Sequence, residues 1–484
     1  MYHLSSAAEK RARLSEGAMT TLIRGRCVLT SAPAGPLQNA AVLVDGPTIV
    51  DVGPWEALRE RSPDAAVVGD GGGIVLPGLV NTHGHFSEGL VTGMGETLTL
   101  LEWIQRLIAP VAPHLTRESA RVGTLLRGAE MALSGITTVN DLFVCSPRAK
   151  DPVTPGVVDG LEELGLRGEV AFGAQDRSDP RPIDEVFAEH EALASAAAVS
   201  RRCRFRLGIA TVLAQSPELF AASVRRAADA GWRVHTHLQE VREEVVASRQ
   251  EHGLTTIGYA ARSGLLDREI VAAHCIWLTD DDIELLAAHE VRVAHNPVAN
   301  MILGSGVCPV RRLQAAGITV GIGTDGPASN DDQDMLEAMK SAALLQKVSR
   351  LDPTAMTAPE VVRMATIDGA RALDLDGVTG SLEAGKDADV VLLNGRTPEL
   401  AVIHDPYQAV VYSATNRSVS DVWVQGERIV AAGRLTRVDL DAVIDAAREL
   451  ADGLAAAVGL RDDPHLVHPE VIRAAGRGAD AGSR

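Results

Sequence analysis

Residues 73–85 read Gly-Ile-Val-Leu-Pro-Gly-Leu-Val-Asn-Thr-His-Gly-His, a nearly unbroken apolar run that closes on two histidines. A strand covered on both faces has this texture, because neither face can carry polar side chains. Seven further runs of the kind follow, at 137–143, 168–173, 205–210, 233–238, 269–275, 291–296 and 318–324, with 73–83 as the first. Helical patterns lie between them, for example 217–230, 280–289 and 332–346. Eight alternating strand–helix units predict an α/β fold, a (β/α)8 TIM barrel.

Outside this core the texture changes. Short β-type runs at 21–28, 40–44 and 48–52 are separated by Gly, Pro and Asp, and similar runs return at 390–393, 420–424 and 428–431. They read as two halves of one small β-sandwich domain built from both chain ends. The expected division is a disordered extension at 1–18, the composite β-sandwich at 19–77 and 375–438, the barrel at 78–374, and a C-terminal helix (440–458) and tail at 439–484. The chain past about residue 462 is expected to be loose.

The 484 residues carry 46 Lys+Arg against 64 Asp+Glu, a formal charge of −18. The cations form no basic stripe, so nucleic acid is not an expected partner. Five cysteines, odd in number and without a Cys-x-x-Cys pair, suit reduced thiols in a cytoplasmic protein. No 18-residue apolar run and no apolar core in the first 20 residues predict neither a membrane span nor a signal peptide.

In such a barrel, polar residues at the C-terminal strand ends mark the working face. His83 and His85, two apart on an extended segment, share one side and can meet one ion. The fifth run ends in His235-Thr236-His237-Leu238-Gln239-Glu240, the sixth in Ala273-His274-Cys275 and the eighth in Gly323-Thr324-Asp325-Gly326. Their intervals suit the roughly 31 residues that one unit of a ~250-residue barrel takes, so the residues can converge on one mouth. Two or three imidazoles with one carboxylate suit Zn2+ or another borderline divalent ion that keeps a position for water. Such an ion brings the pKa of water toward ~7 and makes hydroxide available at neutral pH. Glu240, past the strand on its turn, can reach the substrate as a proton shuttle. His274 and Asp325 can orient and deprotonate the water. Blander readings stand beside these: Asp325 as a helix cap, Glu240 as a solvated acid, and His235, one layer deeper than His237, as a rival ligand. The run Asp280-Asp281-Asp282 after Thr279 reads as a helix cap.

Asn81-Thr82-His83-Gly84-His85, His235-Thr236-His237 with Glu240, Ala273-His274-Cys275, His295-Asn296-Pro297 with Asn300-Met301, and Gly323-Thr324-Asp325-Gly326 with Ser329-Asn330 form one set. Together they resemble the amidohydrolase superfamily over residues 21–430, in the branch of S-adenosylhomocysteine and methylthioadenosine deaminases, guanine-type deaminases and triazine hydrolases. The resemblance implies that His83, His85, His237 and Asp325 bind one divalent metal, Zn2+ or alternatively Fe2+. It implies Glu240, His274 and Asp325 as the catalytic residues, a small heterocyclic substrate, and a homodimer or homotetramer. Relatives with two metals bridge them through a carboxylated lysine on the fourth strand. This chain has only five lysines, Lys10, Lys150, Lys340, Lys347 and Lys386, and none falls in 205–210, which favours one metal.

Departures from the resemblance shape the expected substrate. S-adenosylhomocysteine deaminases carry Pro-His where this chain has Ile209-Ala210, an Arg near Phe172 and a Glu near Ala112. Their loss disfavours an adenosine-type nucleoside. A rim of Phe86, Trp103, Phe143, Gln175, Met301 and Leu303, with His295 in a supporting or substrate role, suits a flat heterocycle. The leading expectation is hydrolytic deamination of an amino-substituted purine, pterin, pyrimidine or triazine-like ring with loss of ammonia. The alternatives are loss of halide or alkylamine on the same site, and a catalytically silent binding protein.

Overall fold

In the computed structural model, which describes residues 20–472 except Ala34 and Ala149, eight parallel strands lie side by side in one sheet. They are Leu79–Gly84, Ile136–Phe143, Arg167–Phe172, Cys203–Thr211, Val234–Leu238, Ile270–His274, Arg292–His295 and Val320–Ile322. A parallel bridge between Gly84 and Asp325 brings the last strand's end back to the first, so the sheet curls into a barrel. The expected extension at 1–18 lies outside the described residues.

Local chemistry sets the helices between the strands. Pro217–Ala230 starts behind Ser216, whose hydroxyl accepts from the Leu219 N–H, and stops at Gly231, where φ is 63° and a side chain is disfavoured. Asp280–Ala288 opens with a capping box between Thr279 and Asp282, the role read for that acidic run. The helix read at 332–346 instead runs Met335–Arg350, because the Asp334 side chain accepts from the Leu336 N–H and sets the start later.

The run 73–83, read as one strand, is two. Ile74–Pro77 pairs antiparallel with Val390–Leu393 in a second sheet, while Leu79–Gly84 enters the barrel. The break falls at Pro77-Gly78. A side chain at Gly78 would place its Cβ 2.1 Å from Thr137 Oγ1, so only glycine lets the chain cross between the sheets there. The second sheet is mixed and nine-stranded, and Ile74–Pro77 stands between strands from the two chain ends, Val390–Leu393 on one side and Thr21–Val28 on the other. Its interior includes Ile23, Val42, Val75, Val390 and Trp423.

At the opposite end of the barrel from the histidines, Glu169 is buried and receives Arg206 Nε at 3.0 Å, Arg233 at 3.2 Å and Arg204. Arg204 and Arg206 also donate to the Leu373 carbonyl, each at 2.9 Å. The C-terminal helix spans Leu440–Val458. The chain after it is not loose as far as residue 467: Leu466 is buried, its carbonyl accepts from the Gly95 N–H at 2.9 Å, and Asp463 pairs with Arg106 at 3.1 Å. A buried leucine outweighs the polar sequence around it. Residues 473–484 lie outside the described residues. Among the described residues no helix is long and apolar enough to cross a membrane.

Candidate active site

Four strand ends supply the five residues of the cluster. His83 closes the first strand and His85 follows it; His237 comes from the fifth, His274 ends the sixth, and Asp325 follows the eighth. His274 and Asp325 have φ of 70° and 65°. This left-handed backbone costs a non-glycine residue about 1–3 kcal/mol and persists only where neighbours enforce it. Here the Asp325 N–H donates to the His83 carbonyl at 3.0 Å and the Gly326 N–H to Asp325 Oδ1 at 2.9 Å.

The side chains meet at one point. His85 Nε2 lies 3.1 Å from His237 Nε2, and Asp325 Oδ1 lies 3.3 Å from Nε2 of both His83 and His85. The remote nitrogens are engaged: His85 Nδ1 faces the Leu142 carbonyl at 2.6 Å and His237 Nδ1 faces the Ala210 carbonyl. A carbonyl only accepts, so both Nδ1 atoms carry the proton and both Nε2 lone pairs point inward. His83 Nε2 is buried with no hydrogen-bond partner, while its Nδ1 sits 2.8 Å from His235 Nε2. His235 therefore stands behind His83 and outside the inward-facing group. Three imidazole nitrogens and a carboxylate oxygen within this span fit a single divalent metal.

Burial favours neutral imidazoles, the ligating form, pulling His83 down to about 4 and His235 and His237 well below the usual range. His85 is the exception. Burial opposes its charge, but the Asp325 hydrogen bond and the Glu88 charge lift it to about 10. The acceptors that hold this proton are the ones that would hold a cation.

Around this point, His274 Nε2 lies 3.4 Å from Glu240 Oε2 and 3.7 Å from Asp325 Oδ2. Asn300 Oδ1, 2.9 Å from His274 Nδ1, fixes that ring. Glu240 Oε1 accepts from the Ser305 hydroxyl at 3.0 Å, the Glu240 N–H donates to Glu244 Oε2 at 3.1 Å, and burial pushes the Glu240 carboxyl up. Glu88 Oε2 accepts from the Ala328 N–H at 3.1 Å, and burial raises its pKa to about 8. Gly326 makes room for it, since a Cβ there would lie 1.9 Å from Glu88 Oε2.

A cavity of about 470 Å³ opens onto His85, Glu88, His237 and Glu240. That volume is in the range of small-molecule sites, ~300–1,000 Å³. Of the expected rim, Trp103 and Gln175 line it, and the Trp103 indole N–H donates to the Ala328 carbonyl at 3.1 Å. Phe86, Phe143, His295 and Leu303 are buried outside its lining. Met301 is 45% exposed in a separate surface groove with Leu344 and Val348. The helix Pro297–Ile302 turns Met301 outward, and Phe86 begins a tight turn whose N–H donates to Asp141 Oδ1 at 2.8 Å. The missing wall comes from Leu100, Leu101, Ile104 and Ile108, on a helical stretch with one π turn at Ile104–Ile108. Their helical spacing was visible in the sequence. Glu88 and Glu244 also went unread, although each lies within four residues of a motif residue.

A family model described as the amidohydrolase family matches residues 74–429, and a short one, an imidazolonepropionase-like composite domain of bacteria, matches 40–65. The chain is 37% identical over 422 residues to a 5′-deoxyadenosine deaminase of Methanothermobacter thermautotrophicus, covering 86% of this chain and 95% of the relative. It is 37% identical over 435 residues to a 5-methylthioadenosine/S-adenosylhomocysteine deaminase of Desulforudis audaxviator, covering 90% and 98%. Among solved structures, an adenosine deaminase from Xanthomonas campestris with bound zinc superposes with a TM-score of 0.83 at 31% identity, covering 90% of this chain and 99% of the other.

These relatives overturn the expectation that an adenosine-type nucleoside is disfavoured. That expectation rested on positions 112, 172 and 209–210. Ala112, Phe172 and Ile209 are buried outside the cavity lining, the Phe172 ring packing 5.0 Å from that of His190, so they say nothing of what the cavity accepts; of these positions Ala210 alone lines it. Arg177, further along from Phe172, does line the cavity.

Proposed function

The chain belongs to the amidohydrolase family and is a hydrolase of carbon–nitrogen bonds, a deaminase; from that premise we propose that its substrate is an adenine nucleoside of the 5′-deoxyadenosine type and its metal one Zn2+. The observation that carries the reading is the convergence of His83, His85, His237 and Asp325 beside Glu240 and His274, at the base of a cavity of about 470 Å³.

His83, His85, His237 and Asp325 hold the ion in this reading. When bound, it supplies the positive charge that acidifies a water and polarises the attacked carbon. Asp325 accepts a proton from that water through Oδ2, with His274 Nε2 at 3.7 Å positioned to share it. Glu240, whose buried carboxyl favours the protonated form, donates to the ring nitrogen beside the amino-bearing carbon. Asn300 and Ser305 keep His274 and Glu240 aimed at one another. The water oxygen bonds to the carbon, the proton taken by Asp325 passes to the amino group, the carbon–nitrogen bond breaks with loss of ammonia, and Glu240 recovers a proton from the new hydroxyl, leaving a carbonyl on the ring.

The test is ammonia release from 5′-deoxyadenosine by the zinc-loaded protein, with mass spectrometry reading the exchange of NH2 for OH. Deamination of other aminoheterocycles with none from any adenine nucleoside would refute the substrate assignment.

A further inference from the structure

The three imidazoles of the metal site are not held alike. His85 and His237 each set a proton against a backbone carbonyl of the adjacent strand, Leu142 on the second and Ala210 on the fourth. His83 has no such carbonyl. Its Nδ1 faces Nε2 of His235 at 2.8 Å, the two rings standing nearly perpendicular at 86°. His83 is on the first strand and His235 on the fifth, which lie opposite one another in the eight-strand order, so this bond crosses the barrel interior. Backbone carbonyls stay in the wall of a barrel, and side chains fill its middle, so an acceptor there must come from a side chain.

The direction of this hydrogen bond is fixed from the other side. Asn140, buried on the second strand, places Nδ2 at 2.9 Å from the Thr82 carbonyl. That contact identifies the atom as the amide nitrogen, since a carbonyl accepts and an amide oxygen cannot donate. The same Nδ2 lies 3.3 Å from His235 Nε2. Its second N–H is therefore aimed at that nitrogen, and His235 Nε2 must offer a lone pair. His83 Nδ1 must then carry the proton in the bond between the rings. This leaves the lone pair on His83 Nε2, the buried atom without a hydrogen-bond partner.

We propose that His235 is a positioning residue for the metal: held by Asn140, it orients the His83 ring and fixes the tautomer in which His83 ligates. Its Nε2 lone pair is taken by His83 and Asn140, so His235 is not itself a ligand. The assignment rests on the metal site described above and extends it by two residues.

The experiment measures the zinc affinity of the full chain by competition with a chromophoric chelator, in the parent, His235→Leu and His235→Gln. The leucine side chain removes the acceptor, whereas the glutamine oxygen can take its place against His83 Nδ1. His235→Leu is expected to weaken zinc binding by about 10–100-fold, and His235→Gln to stay within about threefold of the parent. Parental affinity in a folded His235→Leu chain overturns the role. An equal loss in both variants also overturns it, marking His235 as packing alone. Neutron diffraction from crystals of the zinc-loaded parent gives a reading that needs no variant. Deuterium is expected on Nδ1 of both His83 and His235, and deuterium on His235 Nε2 overturns the assignment. A parent chain that binds no zinc overturns the metal site itself, and this role with it.

Discussion

Glu240 has no role in holding a metal in the proposed mechanism, and this makes it the cleanest residue to test. Glu240→Gln keeps the side chain's shape and its acceptor for Ser305 but cannot pass a proton. It is expected to lower kcat by about 10²–10⁴-fold, the range for a lost general acid, with metal content and thermal midpoint unchanged. A fully active variant with bound metal would sink the proton-transfer role. Glu244, which accepts from the Glu240 N–H, gives a pH signature. Burial raises its carboxyl to about 7, so between about 4.5 and 7 the folded chain keeps a proton that the unfolded chain has lost. Native stability therefore falls as pH rises through that window. Glu244→Gln is expected to flatten this slope in thermal melts from pH 5 to 8 and to raise the midpoint relative to the parent at the upper end. An unaltered slope would show that Glu244 ionises normally.

At the scale of elements, the strand run at 73–83 shows what sequence carries and what it does not. Its apolar texture marks strand correctly, but two sheets use it, and the division depends on Thr137 standing against Gly78. Gly78→Ala is expected to destabilise the fold by about 1–3 kcal/mol, the usual range for overpacking, as a lower thermal midpoint. A neutral effect would mean Thr137 yields without strain. Where an element's ends are set by adjacent chemistry, as with Ser216, Pro217 and Gly231 around Pro217–Ala230, the pattern places both ends correctly. The histidines and acids at the strand ends were legible for the same reason: strand periodicity orients neighbours in the chain. The cavity wall was not. Which side Met301 faces, and that Leu100–Ile108 folds over the opening, depend on packing between segments far apart in sequence.

For the whole molecule, the donor set ties stability to metal. An ion at a thousandfold excess over its dissociation constant contributes about 4 kcal/mol. Chelation is therefore expected to lower the melting temperature and abolish ammonia release, and one equivalent of Zn2+ per chain should restore both. A requirement for two equivalents would contradict the single-ion site, which the lysine-free fourth strand, Cys203–Thr211, also supports. The hydrogen bond from Gly95 to Leu466 and the ion pair of Arg106 with Asp463 carry a further consequence. They fasten residues 463–466 to the stretch that walls the cavity, so this segment is a handle on substrate entry. A truncation before residue 460, or a bulky fusion crowding the tail, should leave the barrel folded and change KM.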